Sequence, residues 1–279
     1  MRAMQLVSAS KLKRAQGRLV QARSTLEFLD GLLQRVLAST TGLDHPLCAT
    51  AASAPPVLVL LTSDTGLCGS YNTNLIQLAE SSLRQDSRQP TQLVTIGKKG
   101  HRYAVKRGYA VAESYLDLAG RPDLAKAESI GRALMARFLA GKASSIHLLY
   151  SEFKSAMVYR PVISRWLPVT LETEAATRNP STALGAGKRQ ATTVEEYIFE
   201  PSPQRVFEDL LPRWALATFQ RVMLEAFTSE HSARMIAMKN ATDNAEELLK
   251  SLTMQRNRMR QASITKELSE IVGTAEALK

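Results

Sequence analysis

Only two cysteines, Cys48 and Cys68, occur in 279 residues, which excludes a disulfide-built scaffold and fits a reducing compartment. No run of about eighteen apolar residues is present, so nothing in the sequence reads as a membrane span. The basic N-terminus lacks the apolar core and cleavage site of a secretory signal. Aromatics are 6% of the chain, little material for stacking platforms on nucleic acid. His45, His101, His147 and His231 are scattered without metal-ligand spacing, so no metal is expected. A phosphate-binding GxxxxGK[ST] loop is also missing. Gly141-Lys142 has Ala136 at the first glycine position and Ala143 after the lysine, while Lys98 and Lys188 are followed by Lys99 and Arg189. No cofactor and no catalytic residue are therefore expected.

What is abundant is helical periodicity and positive charge. Arg234 to Lys279 contains no proline and one glycine, Gly273. Met238, Ala241, Ala245, Leu248, Leu252, Gln255, Met259 and Ala262 follow at alternating steps of three and four, the spacing of a coiled-coil seam. After Ala262 the pattern slips to Ile264, Leu268, Ile271, Ala275 and Leu278. The N-terminal stretch repeats the rhythm through Leu12, Ala15, Leu19, Ala22, Leu26, Leu29, Leu33 and Val36. The two arms are natural antiparallel partners, with Leu19, Leu26 and Leu33 expected to face the C-terminal seam. Thirty-six lysines and arginines against 26 acids give a net charge of +10. Arg2, Lys11, Lys13, Arg14, Arg18 and Arg23 precede any acid, and Arg256, Arg258, Arg260 and Lys266 crowd the C-terminal arm. Such runs suit an acidic partner (nucleic acid, anionic lipid or protein) and equally a plainly solvated helix face.

Between the arms the period changes. Apolar runs at Val57–Leu61, Gln92–Ile96 and Ser145–Tyr150 alternate with helical segments near Thr73–Arg84, Lys99–Lys106 and Asp123–Ala140. That alternation predicts a Rossmann-like α/β domain with a largely parallel sheet. The stretch AMVYRPVISRWLPV, with two prolines, suits an edge strand or a bend. Residues 172–193 read as a mobile loop, VEEYIF (194–199) as a further strand, and Ser202-Pro203 as a helix start. Pro212 is expected to break or kink that helix. The domains expected are an N-terminal coiled-coil helix at 1–44, an α/β domain at 55–200 and a C-terminal coiled-coil helix at 203–279.

The most specific short motif is TSDTGLCGSYNTN, Thr62 to Asn74, directly after the first apolar run. A hydrolase-type nucleophile elbow needs glycines two before and two after the nucleophile. Gly66 satisfies the first requirement for Cys68, and Ser70 fails the second. The alternative is a buried strand-to-helix turn.

DTGLCGSYNTNL, RMIAMKNATDNAEELL, RQASITKELSEIVG and the opening MRAMQLVSASKLKRAQ together resemble the gamma subunit of rotary (F-type) ATP synthases, in the same order along the chain. The resemblance implies a non-catalytic rotor shaft. Two antiparallel terminal helices would turn inside three alpha and three beta subunits, coupling ion-driven rotation of a membrane c-ring to ATP synthesis or hydrolysis. Epsilon or delta central-stalk subunits would sit at the foot, and the complex would lie peripherally on an energy-transducing membrane. That membrane is the cytoplasmic face of a bacterial plasma membrane or the matrix face of the mitochondrial inner membrane. By the same resemblance Arg260, Gln261 and Thr265 meet acidic loops of the beta subunits, and Met4 faces their lever region. Family members carry further residues ahead of the Met1 position, so part of the first arm is expected to be missing. Arg2 stands where lysine is usual, the 172–193 loop is longer than usual, and no chloroplast-type dithiol insertion is visible. Two other classes fit the residues less fully: a basic coiled-coil nucleic-acid-binding protein and an α/β enzyme with helical extensions. Salt-sensitive DNA binding would mark the first, and turnover by the isolated chain the second.

Overall fold

The apolar run VLVLL forms a strand buried at every position, because both faces of the sheet that it centres are covered. The computed structural model describes residues 2–39, 43–49, 54–85, 91–118, 123–170 and 199–277. Along these the elements are α1 (Arg2–Ser39), β1 (Val57–Leu61), α2 (Tyr71–Gln85), β2 (Gln92–Ile96), α3 (Lys98–Lys106), β3 (Val111–Tyr115), α4 (Leu124–Leu139), β4 (Ile146–Phe153), β5 (Tyr159–Leu167) and α5 (Pro203–Ala277). The strand order is β3-β2-β1-β4-β5. All neighbours pair parallel except β5, which runs antiparallel to β4 at the sheet edge. Pro161 sits in β5, which among the described residues pairs on one side only, as expected of an edge.

Side-chain alternation along β1 divides the core. Val57, Val59 and Leu61 join α1, α4 and α5 in one cluster, while Leu58 and Leu60 join Tyr71, Leu75 and Ala79 of α2 and Ala104 of α3 in another. The expected α/β layer is present, with one addition. Strand β3 was not legible because VAESY lies at the other edge and alternates half-buried with exposed, leaving no apolar run to see.

Both arms are helical, and α1 lies antiparallel to α5. Asp30 accepts a hydrogen bond from Trp214 Nε1, and Arg23 pairs with Glu225 at 3.0 Å. The α1 seam is buried or half-buried throughout, from Leu12 to Val36. Its partner differs from expectation. Those two pairs set a register in which Leu19, Leu26 and Leu33 meet the 211–230 region of α5 and the α/β core, and the seam beginning at Met238 lies beyond them. Only Met238 of that seam is buried, Ala241 is half-buried, and Ala245 onward is exposed. Periodicity fixes a face without fixing register, and here the α/β core and two polar pairs decide it.

Helix α5 starts as read: Pro203 is its first residue, and Ser202 Oγ accepts from Arg205 N at 3.3 Å. It then continues through Pro212 for 75 residues, about 110 Å at 1.5 Å per residue. Of the break or kink expected there, the break does not occur. Leu210, Leu211, Trp214 and Ala215 on both sides of the proline are buried in the core, and that burial outweighs one lost hydrogen bond. The 172–193 loop and most of the VEEYIF strand lie outside the described residues.

Candidate functional site

In a doubly wound sheet, ligands bind beyond the carboxyl ends of the strands where the crossovers reverse direction. Here that place is between β1 and β4, since β2 and β3 extend the sheet one way and β4 and β5 the other. Helix α5 occupies it. Ser229 Oγ donates to Ser151 O at the end of β4 at 2.9 Å, and Ser232 Oγ donates to Ala156 O in the following hairpin. Arg234 reaches the turn after β1, donating to Gly66 O at 3.2 Å and to Thr65 Oγ1 at 2.9 Å. Tyr71 closes the arrangement by donating its hydroxyl to Ala226 O at 3.0 Å, and burial pushes that phenol well above its ordinary range.

Amides beside the crevice are also used. At the start of α3, Lys98 N donates to Asp64 Oδ1 at 3.0 Å, Lys99 N to Ser63 O at 3.1 Å and Gly100 N to Thr62 Oγ1 at 2.8 Å. An anion at this helix N-terminus would need these amides, and a carboxylate, a carbonyl and a hydroxyl of the chain already fill them. The Thr62–Asn74 motif is thus a strand-to-helix turn. Cys68 is buried in it, its sulfur accepting from Asn72 Nδ2 at 3.1 Å and lying 3.7 Å from Ser63 Oγ, neither of which is a base. Among the described residues, no group of three or more His, Cys, Asp or Glu side chains could hold a metal ion.

The residues that seat α5 were not singled out in the sequence. Thr228, Ser229, Glu230, His231 and Ser232 form a polar run inside an otherwise apolar part of the helix, and all five are buried. That run was the available signal. Burial pushes the Glu230 carboxyl above its usual range, and Arg234, 2.7 Å away, opposes the shift. Lower on the helix, Glu225 is buried between Arg23 and Arg221, each 3.0 Å from one of its oxygens.

A second candidate region is the part of α5 beyond Thr242. Leu248, Leu249, Leu252, Met254, Met259, Ile264, Leu268, Ile271 and Val272 are all exposed, from 49% at Ile264 to 73% at Met259. Arg260, Gln261 and Thr265 lie in this span and are exposed. Gln261 and Thr265 share a face, Thr265 Oγ1 donating to Gln261 O at 2.9 Å. Met4, on α1 and 53% exposed, is not brought to them. The α1–α5 register carries it to about residue 242, roughly 27 Å along the axis from Arg260. Lys11, Arg14 and Arg18 border an open cleft of about 1200 Å³ between α1 and the start of α4, so much of the basic excess faces outward. Among the described residues, no helix is long and apolar enough to cross a membrane.

Comparison with known proteins agrees with this architecture. The ATP synthase family model matches residues 1–278. The ATP synthase gamma chain of Symbiobacterium thermophilum is 42% identical over 280 residues, spanning 100% of this chain and 92% of the relative. That of Moorella thermoacetica is 38% identical, spanning 100% and 93%. Among solved structures, a chain of the Tetrahymena thermophila mitochondrial ATP synthase central stalk and c-ring matches with a TM-score of 0.60 at 20% identity, covering 86% of this chain and 98% of that one. A chain of the Euglena gracilis mitochondrial ATP synthase matches at 0.57 and 18% identity, covering 100% and 95%. With a full-length family match and relatives near 40% identity, this chain belongs to the ATP synthase gamma-chain family.

Proposed function

We propose that the chain is the non-catalytic shaft that carries rotation between a membrane c-ring and the catalytic alpha and beta subunits, three of each. The observation that carries this reading is the division of α5. Its first 40 residues are seated in the α/β core, while its last 35 present exposed apolar and basic side chains. Nine large apolar side chains left in water on one helix end call for an enclosing partner. A ring of subunits around the helix supplies one, and Arg260, Gln261 and Thr265 then face acidic loops of the beta subunits, with Met4 meeting them lower down. The seated helix in the ligand crevice and the spent amides of α3 support a chain that does not itself turn over nucleotide. The α/β domain at the foot takes the epsilon or delta subunit and the c-ring, and this chain is held peripherally at the membrane through them.

The test is the double variant Arg260→Ala/Gln261→Ala. Both side chains are exposed, so the melting temperature of the isolated chain is expected to stay at the parent value. A charge-assisted hydrogen bond desolvated by a surrounding subunit contributes about 1.5–3 kcal/mol, so coupled ATP turnover of the assembled complex should fall roughly tenfold. Unchanged turnover would remove the assigned contact, and a collapsed melting temperature would make these residues structural.

A further inference from the structure

We infer that Arg234 is the residue that fixes the rotational angle of the shaft helix against the α/β domain, and so the point where torque passes between them. This rests on the rotor reading and goes beyond it by assigning the joint.

From Phe207 to Phe227 the contact of α5 with the domain is largely apolar, with Trp166 Nε1 donating to Ala215 O at 2.9 Å and Tyr150 bonded to Arg221 as its polar points. Apolar surfaces hold two elements together without setting direction, and packed helices slide past one another by small shears. Hydrogen bonds weaken steeply with angle, so they resist rotation about the helix axis in a way that packing does not. Beyond those two, a closely spaced series of polar contacts with the domain runs from Ala226 to Arg234: Tyr71 to Ala226 O, Ser229 to Ser151 O, Ser232 to Ala156 O, then Arg234. Arg234 is the last of this series before the exposed span begins. Its side chain, 13% exposed, donates to Gly66 O, to both oxygens of Thr65 and to Glu230 Oε1. A guanidinium fork spread over a turn and a carboxylate of its own helix has one orientation in which all these bonds form.

The far side of the clasp is stiff. The Thr62–Asp64 segment is bonded to the start of α3 through Asp64 and Thr62, and to α2 through Asn72, whose Oδ1 accepts from Ser63 N at 3.0 Å. A twist applied to the sheet therefore reaches Thr65 and Gly66 through hydrogen-bonded backbone, and Arg234 hands it to α5. Glu230, buried beside it, fixes the guanidinium in place. Arg234 and Glu230 are positioning residues under this assignment.

The test uses the assembled complex with Arg234→Ala, Arg234→Lys and Thr65→Val. One readout is ions pumped per ATP hydrolysed in membrane vesicles. The other is the angular spread of a probe on the α/β domain while the catalytic subunits are paused, which reports torsional stiffness. Arg234→Ala should widen the spread and lower ions pumped per ATP. Arg234→Lys, which keeps charge toward Glu230 but cannot span Thr65 and Gly66, should lie between it and the parent, and Thr65→Val, which removes one acceptor, closer to the parent. If Arg234→Ala fails to fold, the Lys and Val variants carry the same comparison. A merely structural role predicts fewer assembled complexes with parental spread and parental ratio in those that form, and that result overturns the inference. If the parent chain itself forms no complex or shows no coupled pumping, the rotor reading fails first, and the two failures are distinguished.

Discussion

Gly97 joins β2 to α3 at φ +99° and ψ 145°, a region that side-chain-bearing residues avoid. A Cβ built there would lie 2.1 Å from Thr62 O, 2.8 Å from Thr62 C and 3.0 Å from Thr62 Oγ1. Thr62 cannot retreat cheaply. Its N–H donates to Ile96 O at 2.8 Å, its hydroxyl donates to the same oxygen at 3.2 Å and accepts from Gly100 N, and the residue is buried. Gly97→Ala therefore combines backbone strain of about 1–3 kcal/mol with forced overpacking of about 1–3 kcal/mol, and a loss of about 3–5 kcal/mol is expected. Gly108 supplies the comparison: its φ is +73°, but nothing lies within 4 Å of its Cβ position. Gly108→Ala should lose only the left-handed conformational term, about 1–2 kcal/mol. Urea denaturation followed by circular dichroism measures both. A Gly97→Ala loss within about 1 kcal/mol of the Gly108→Ala loss would refute the close-approach argument, since overpacking of a tight backbone contact alone exceeds that.

Glu225→Ala leaves Arg221, with 25% of its side chain exposed, and Arg23, with 42% exposed, without their shared carboxylate. The expected destabilisation is about 3 kcal/mol, the low end for a broken buried pair because both arginines keep some water, and the urea midpoint checks it. Tyr115 donates its hydroxyl to Glu113 Oε2 at 2.7 Å, and burial, then that carboxylate, push its pKa from 10.0 up to about 12. The folded value exceeds the unfolded one, so the stability from holding this proton is complete below pH 10 and is lost as pH rises toward 12. Tyr115→Phe should flatten the alkaline fall of the melting temperature in that window, and an unchanged slope would count against it.

The seams of both arms were legible as seams because three-four spacing survives in any helix, and the strands of the sheet interior were legible because burial on both faces makes them continuous apolar runs. Register was not legible. Two arms with the same steps fit each other in many alignments, and the one adopted depends on Arg23 finding Glu225, Trp214 finding Asp30, and Leu26 and Leu33 reaching the α/β core. Pro212 does not end the helix for a related reason, since burial on both sides of it holds the chain helical. The basic segment around Arg260 was readable as a charge run, and only its assignment to a beta-subunit contact came through resemblance. The joint at Arg234 was hidden because an arginine four residues from a glutamate on a helix looks like an ordinary surface pair. Only the seating of α5 across the ends of β1 and β4 turns it into a half-buried clasp between helix and domain.

The most direct test of the rotor account attaches a visible probe through Ser81→Cys, an exposed position on α2, and assembles the chain with its alpha and beta subunits fixed to a surface. The account predicts that the probe turns continuously in one sense when ATP is added and stops when ATP is removed. A complex that hydrolyses ATP while the probe stays at a fixed angle would contradict it.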